Sequence, residues 1–134
     1  EVWDLCRHAA ALVGSVGHGA HYANGLAALY LATGQDVACV AESAIGITRV
    51  EKTQNNDLYI SVTLPNIMVG TVGGGTELPS QQAGMEILGI GRGPNSANAL
   101  AEITAALCMA GEISLIAAVA AGQFALAHQH HARR

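Results

Sequence analysis

Three short stretches of this sequence carry residues that could act together on a ligand. The run Gly70–Thr76 contains three consecutive glycines, and glycine lets the backbone approach a ligand closely because it has no Cβ. The tripeptide Gly34–Asp36 ends an apolar segment, and His128 lies near the end of a later one. A carboxyl group and an imidazole that meet at one ligand can transfer protons to or from it. The combination predicts proton-coupled chemistry on a bound molecule, if the fold brings the three stretches together.

Each stretch also has a plainer interpretation. The glycine run matches neither the Gly-x-Gly-x-x-Gly of dinucleotide-binding folds nor a P-loop, since no Gly-Lys-Ser/Thr follows it. A strained surface turn is therefore the alternative for this run. Asp36 follows a glycine that ends a helix, so a solvated turn aspartate is the alternative there. If Asp36 is functional, it is expected to be partly buried among other carboxylates.

Two further pairs of residues are candidates for ligand contact. His21 and Asn24 lie about one helical turn apart, on one face of an apolar segment. A buried asparagine needs hydrogen-bond partners, so a structural polar pair is the alternative interpretation. Ser114 and Leu115 belong to one face of the later apolar segment, where they could either wall a pocket or pack in the core.

The histidines near the C-terminus suggest a metal site only weakly. His128 and His131 have the i, i+3 spacing of a helical ligand pair. A third ligand is not evident, so the sequence predicts no metal, and a His-ligated metal hydrolase is the less favoured alternative function.

The composition predicts a domain that is covered by other protein. Of the 134 residues, 51% are hydrophobic and only 12% are charged, whereas the surface of a small free domain is usually about a quarter or more charged. We expect the exposed apolar surface to contact the rest of a larger protein or a second subunit. The net charge of -4 argues against nucleic-acid binding. Three cysteines without a Cys-x-x-Cys pair indicate reduced thiols and a cytoplasmic location.

The spacing of apolar residues predicts an α+β fold, with long apolar helices packed on a small antiparallel sheet. Helical periodicity covers residues 3–13, 20–33, 79–88, 95–111 and 112–130. The last of these helices is expected either to continue the one before it or to follow it after a small bend. Strands are predicted over residues 44–52 and 58–64, with a short third strand over 67–72. In the first strand, Ile45 and Ile47 are expected to face inward.

One segment is apolar enough to be compared with a membrane span. From Ile103 to Ala127 the only charged residue is Glu112. An acid in the middle of a membrane helix costs roughly 2.5–3.5 kcal/mol, and alanine and glycine supply little transfer energy in return. The segment is therefore predicted to be a buried helix of a soluble core, and the chain to have no membrane segment.

The motifs in this order resemble the C-terminal part of the catalytic region of class I 3-hydroxy-3-methylglutaryl-CoA (HMG-CoA) reductases, in a prokaryotic or archaeal form. The resemblance rests on Gly-Thr-Val-Gly-Gly-Gly-Thr at Gly70–Thr76, Gly-Gln-Asp at Gly34–Asp36, and the segment Gly14–Asn24 with its Ala-His-x-Ala-Asn ending. It implies that residues 1–134 are a portion of the large catalytic domain. It also implies reduction of HMG-CoA to mevalonate and CoA by two NADPH, with NADH not excluded, in a homodimer or higher homo-oligomer with a shared active site.

The resemblance also assigns roles to individual residues. It implies that Asp36 is catalytic and that His128 protonates the departing CoA thiolate. The substrate contacts that it implies are His21, Asn24, Ser114 and Leu115. The cofactor contacts that it implies are Gly34, Gln35, Val72, Gly73, Gly74 and Arg133.

The family also has a catalytic glutamate, a catalytic lysine and a cofactor-binding insert in segments that precede Glu1. Residues 5–10 contain no lysine to match the family's substrate-gripping lysine, so either Arg7 or His8 takes its place or the resemblance ends there. We therefore expect the isolated chain to be inactive. The alternative is a non-catalytic fragment that serves assembly or dimerisation of the same enzyme.

Overall fold

The computed structural model describes residues 1–132 and has the predicted α+β architecture. These residues form six α-helices and one two-stranded antiparallel sheet. The helices are α1 (Val2–Leu12), α2 (Tyr22–Thr33), α3 (Val40–Ser43), α4 (Pro79–Ile87), α5 (Ser96–Ala120) and α6 (Phe124–Ala132). The strands are β1 (Ile47–Lys52) and β2 (Leu58–Thr63), and short 3-10 turns span Val37–Cys39 and Gly74–Glu77.

Helix α2 forms the centre of the core. Tyr22, Leu26 and Tyr30 are buried at a spacing of four residues, which places them on one face of the helix. That face packs against Cys108 of α5. The helix ends at Gly34, whose φ of 72° lies in the left-handed region, as the sequence predicts.

The sheet differs from the prediction in which β1 side chains face the core and in the number of its strands. β1 and β2 pair along their whole length, from Ile47 opposite Thr63 to Lys52 opposite Leu58. The expected inward side chain Ile47 is 56% exposed, whereas the neighbouring Thr48 is 3% exposed and faces the core. The predicted third strand over 67–72 is absent from the described part of the chain, where this segment is irregular.

Helix α5 is continuous through Gly111, which is the first of the two alternatives that the sequence left open. The break comes later, at Gly122, whose φ is 66°. The buried residues of α5 repeat every four positions along one narrow stripe, namely Leu100, Thr104, Cys108 and Glu112. This stripe packs on α2 and β2, as expected for a core helix.

Most of the remaining surface of α5 is exposed or half-buried. Ser96–Ala120 is long and apolar enough to cross a bilayer, with a mean hydropathy of 2.0 over its most apolar window and 17% of that window buried. Length and composition alone do not show membrane insertion, and the buried stripe of α5 carries the charged side chain of Glu112.

Candidate active site

The loop after α2 is held directly against the triple-glycine turn. The side-chain amide of Gln35 donates to the carbonyl of Gly70 at 2.9 Å, and its oxygen accepts from the backbone N–H of Gly70 at 2.7 Å. A Cβ on Gly34 would overlap the backbone of Gly75 and come within 2.7 Å of the Thr76 nitrogen. The structure therefore brings two of the three predicted stretches together, and glycine at 34 permits their contact.

The triple-glycine turn presents bare backbone to its surroundings. Gly73 and Gly74 have φ values of 82° and 57°, which side chains disfavour. The hydroxyl of Thr76 donates to the carbonyl of Gly73 at 2.7 Å and closes the turn. Val72 is 86% exposed, and a Cβ built on Gly73 would meet no atom within 4 Å. Gly73 and Gly74 therefore present backbone without Cβ atoms, and the space beside Gly73 is open.

Asp36 stands at the edge of this contact. It precedes the 3-10 turn Val37–Cys39, and its carboxylate accepts the backbone N–H of Ala38 at 2.9 Å. Its side chain is exposed, so the partial burial expected of a functional Asp36 is not found within residues 1–132. The carboxylate is free on its outer side to meet a ligand or another carboxyl group.

His21 and Asn24 occupy different environments, although both lie at the start of α2. Asn24 is exposed, and its amide hydrogen-bonds to no residue among 1–132. The imidazole of His21 lies in a cleft between α2 and α5, against Gly25 and Gly111. Its Nδ1 is buried without a partner among the described residues. Nε2 is therefore the ring nitrogen left to face a ligand.

A buried polar network next to His21 was not singled out from the sequence as a site. Glu112 is fully buried, and its two oxygens accept the backbone N–H of His21 at 2.6 Å and the hydroxyl of Thr48 at 3.2 Å. The hydroxyl of Thr48 also meets that of Tyr22 at 2.5 Å. Because Thr48 has one proton and gives it to Glu112, Tyr22 is the donor in that second bond. The available signal was the lone acid in an apolar helix.

Burial in this network shifts the titration of its neighbours. Burial raises the pKa of Tyr22 to about 12, and the Glu112 charge adds to the rise. Burial likewise raises the pKa of the Cys108 thiol to about 11, again with a contribution from Glu112. Both groups therefore stay protonated at neutral pH, and Cys108 behaves as an unreactive core thiol.

The other predicted residues are not brought to the Gly34–Gly75 contact. Ser114 is exposed and Leu115 is half-buried on α5. His128 is exposed on α6, which packs substantially only on α5 among the described elements. Its Nδ1 lies 2.8 Å from the carbonyl of Phe124, and the two rings stack at 4.4 Å. Arg133 lies outside the described residues.

No cluster of three metal-ligating side chains occurs within residues 1–132.

Comparison with known proteins gives a consistent result. The family model for hydroxymethylglutaryl-coenzyme A reductase matches residues 1–133. Proteins named 3-hydroxy-3-methylglutaryl-coenzyme A reductase from Pyrococcus horikoshii and Aeropyrum pernix are 51% and 52% identical to the chain in alignments of 123 residues that cover 89% of the chain. One of the same name from Phycomyces blakesleeanus is 50% identical in an alignment of 131 residues that covers 92% of the chain. The chain spans 30% and 29% of the two archaeal relatives and 11% of the fungal one.

Proposed function

Because this chain belongs to the hydroxymethylglutaryl-coenzyme A reductase family, we propose that it is part of an enzyme that reduces HMG-CoA to mevalonate and free CoA with two NADPH. The observation that carries the proposal is the pair of hydrogen bonds between Gln35 and Gly70, which joins the Gly34–Asp36 loop to the segment that leads into the triple-glycine turn. An acid next to a bare backbone surface is the arrangement that proton transfer beside a bound nicotinamide requires.

Bound NADPH supplies the hydride in both reductions. The exposed surface of Val72, Gly73 and Gly74 holds the nicotinamide, and Gly34 and Gln35 border it. An added Cβ at Gly73 would project into open space, so it would occupy the volume that a stacked ring needs. Asp36 has an outward-facing carboxylate and serves the proton transfers that accompany hydride transfer.

His128 protonates the CoA thiolate as it leaves. The carbonyl of Phe124 can only accept, so Nδ1 of His128 carries a proton and Nε2 points away from the backbone. A charged imidazole in this orientation gives its Nε2 proton to the CoA thiolate and remains neutral afterwards. Protonation traps the sulfur as a thiol and prevents it from adding back to the aldehyde.

We further propose that the working form is a cytoplasmic homodimer or higher oligomer of a longer polypeptide. Large apolar side chains are exposed on and after α1, with Leu12 at 88% and Val13 at 81%. Lys52 is the only lysine in the sequence, and it lies exposed at the end of β1. The family's carbonyl-polarising lysine must come from elsewhere, so the isolated chain is inactive.

The test is a spectrophotometric assay of the complete polypeptide with HMG-CoA and either NADPH or NADH. We expect loss of reduced cofactor only when HMG-CoA is present, with two cofactor molecules oxidised for each mevalonate. The isolated 134-residue chain, assayed in parallel, should show no turnover. A complete polypeptide that folds and oxidises neither cofactor with HMG-CoA would reject the proposal.

A further inference from the structure

Glu112 is a fully buried acid that the proposed chemistry does not use. Both of its oxygens accept hydrogen bonds, yet it forms no ion pair with any residue among 1–132. Burial of an acid without a cation is costly, and groups of this kind are concentrated at functional sites. Its shorter bond, at 2.6 Å, is to the backbone N–H of His21.

His21 is held by the same turn of α5 in a second way. Gly111 precedes Glu112, and a Cβ on Gly111 would overlap the His21 imidazole. A Cβ on Gly25 of α2 would lie 2.7 Å from Cε1 of the same ring. Glu112 thus fixes the backbone of residue 21, while Gly111 and Gly25, which have no Cβ, leave a slot for the side chain.

We propose that Glu112 is a positioning residue for His21. The inference rests on the proposed function, because it takes His21 as a contact of the HMG-CoA substrate. The backbone N–H of residue 21 is anchored at the start of α2, so the Cα–Cβ direction is set there. The slot then fixes the plane of the ring, and with Nδ1 buried the ring presents Nε2 in one direction.

The hydrogen bond between Thr48 and Glu112 allows the positioning of His21 to be tested separately from the stability of the fold. Glu112 also accepts the hydroxyl of Thr48, which ties α5 to β1. The substitution Thr48→Val removes this bond and the one from Tyr22 but leaves the bond between Glu112 and His21 in place. It is therefore the matched control for loss of the network's structural support.

The experiment measures steady-state kinetics of the complete enzyme and its variants. Glu112→Asp withdraws the carboxylate by one carbon–carbon bond, and misplacement by about 1 Å can cost about 100-fold in rate. We expect the KM for HMG-CoA to rise about 10-fold or more, while the KM for NADPH stays within about two-fold. Thr48→Val should lower the thermal midpoint and leave the KM for HMG-CoA unchanged.

A double-mutant cycle decides whether Glu112 acts through His21. In a His21→Gln background, Glu112→Asp should raise the KM for HMG-CoA no further, because the side chain that it positions is gone. Additive effects of the two substitutions would overturn the inference while leaving the proposed function intact. If Glu112→Asp does not fold, the cycle is run with Glu112→Gln, which keeps the side-chain length. A folded wild-type enzyme without HMG-CoA-dependent turnover would overturn both.

Discussion

At the scale of single residues, the role of His128 depends on where its ring nitrogens point. Its Nδ1 is engaged by the carbonyl of Phe124, and its side chain is otherwise exposed on α6. His130 is also exposed, two residues along the same helix, where it points to a different face. The two histidines therefore offer a matched comparison between a proposed proton donor and a neighbour of the same chemical type.

Replacing His128 by Gln should slow the reduction of HMG-CoA in the complete enzyme by about 100-fold or more, because general acids contribute about 10²–10⁴-fold. The KM for NADPH should change little, since His128 does not touch the glycine turn in this chain. His130→Gln should leave both parameters near wild type. Equal losses in the two variants would mean that α6 matters only as a helix.

Gly34 is the residue through which the loop after α2 meets the glycine turn. Gly34→Ala should destabilise the protein by about 2–5 kcal/mol, since a left-handed φ costs about 1–2 kcal/mol and overpacking adds about 1–3. Gly14→Ala is the control, because Gly14 has φ 71° and a Cβ there would meet no atom within 4 Å. Gly14→Ala should therefore be destabilised only by the left-handed φ, which costs about 1–2 kcal/mol.

Chemical denaturation of both variants measures the difference. Indistinguishable free energies of unfolding for Gly34→Ala and Gly14→Ala would show that the contact with Gly75 is not tight. Gly34→Ala should also raise the KM for NADPH, because the turn must move to admit the new methyl group.

At the scale of the elements, the network that joins α2, β1 and α5 makes stability depend on alkaline pH. The pKa of Tyr22 is about 12 in the folded protein, against about 10 for an unburied tyrosine. The folded state keeps this proton more tightly than the unfolded state does. The stabilisation is therefore complete below pH 10 and is lost as the pH rises towards 12.

The free energy of unfolding should fall by up to about 3 kcal/mol over that range on account of Tyr22 alone. Burial raises the pKa values of Cys108 and Tyr30 as well, and these groups add to the fall. In Tyr22→Phe the protein starts less stable, because a hydrogen bond to Thr48 is lost, but the decline above pH 10 should be shallower. Parallel declines, measured by urea titration, would contradict this account.

The same elements show what the sequence could and could not predict. Periodicity located α1, α2, α4 and the hairpin, since these depend on local spacing, but it missed the short α3 and the break between α5 and α6. It predicted the wrong inward face for β1, because Thr48 turns inward to bond Glu112 and Tyr22, which are distant in sequence. It left open a bend at Gly111, where the helix is continuous and glycine makes room for the ring of His21.

The missing third strand has a comparable cause. The backbone N–H and carbonyl of Gly70 both hydrogen-bond to the side chain of Gln35, which takes the place of a neighbouring strand.

The candidate site was also predictable only in part. Motifs identified the Gly34–Asp36 loop and the glycine turn, which do meet. They gave no reason to join Glu112 to His21, since a tertiary contact between a side chain and a backbone N–H leaves no pattern in sequence.

At the scale of the whole molecule, few large apolar side chains are buried in the core and many are exposed on the surface. An apolar groove of about 500 Å³ runs between α1, the hairpin and α5, and its lining includes Trp3, Leu58 and Ile113. Large exposed patches of this kind mark contacts with other protein. His128 lies on α6, which packs on α5 and not on the glycine turn. In the proposed enzyme, His128 therefore meets Asp36 only through further polypeptide or a second subunit.

The central claim is that Asp36, His128 and the triple-glycine turn share one cavity in the complete assembly. A crystal structure of the complete enzyme with NADP⁺ and CoA tests it directly. The account predicts the nicotinamide ring flat against Val72–Gly74, in contact at about 4 Å, with Asp36 and His128 of the same or a neighbouring subunit lining that cavity. A nicotinamide bound elsewhere, or Asp36 and His128 on faces that share no cleft in the oligomer, would contradict it.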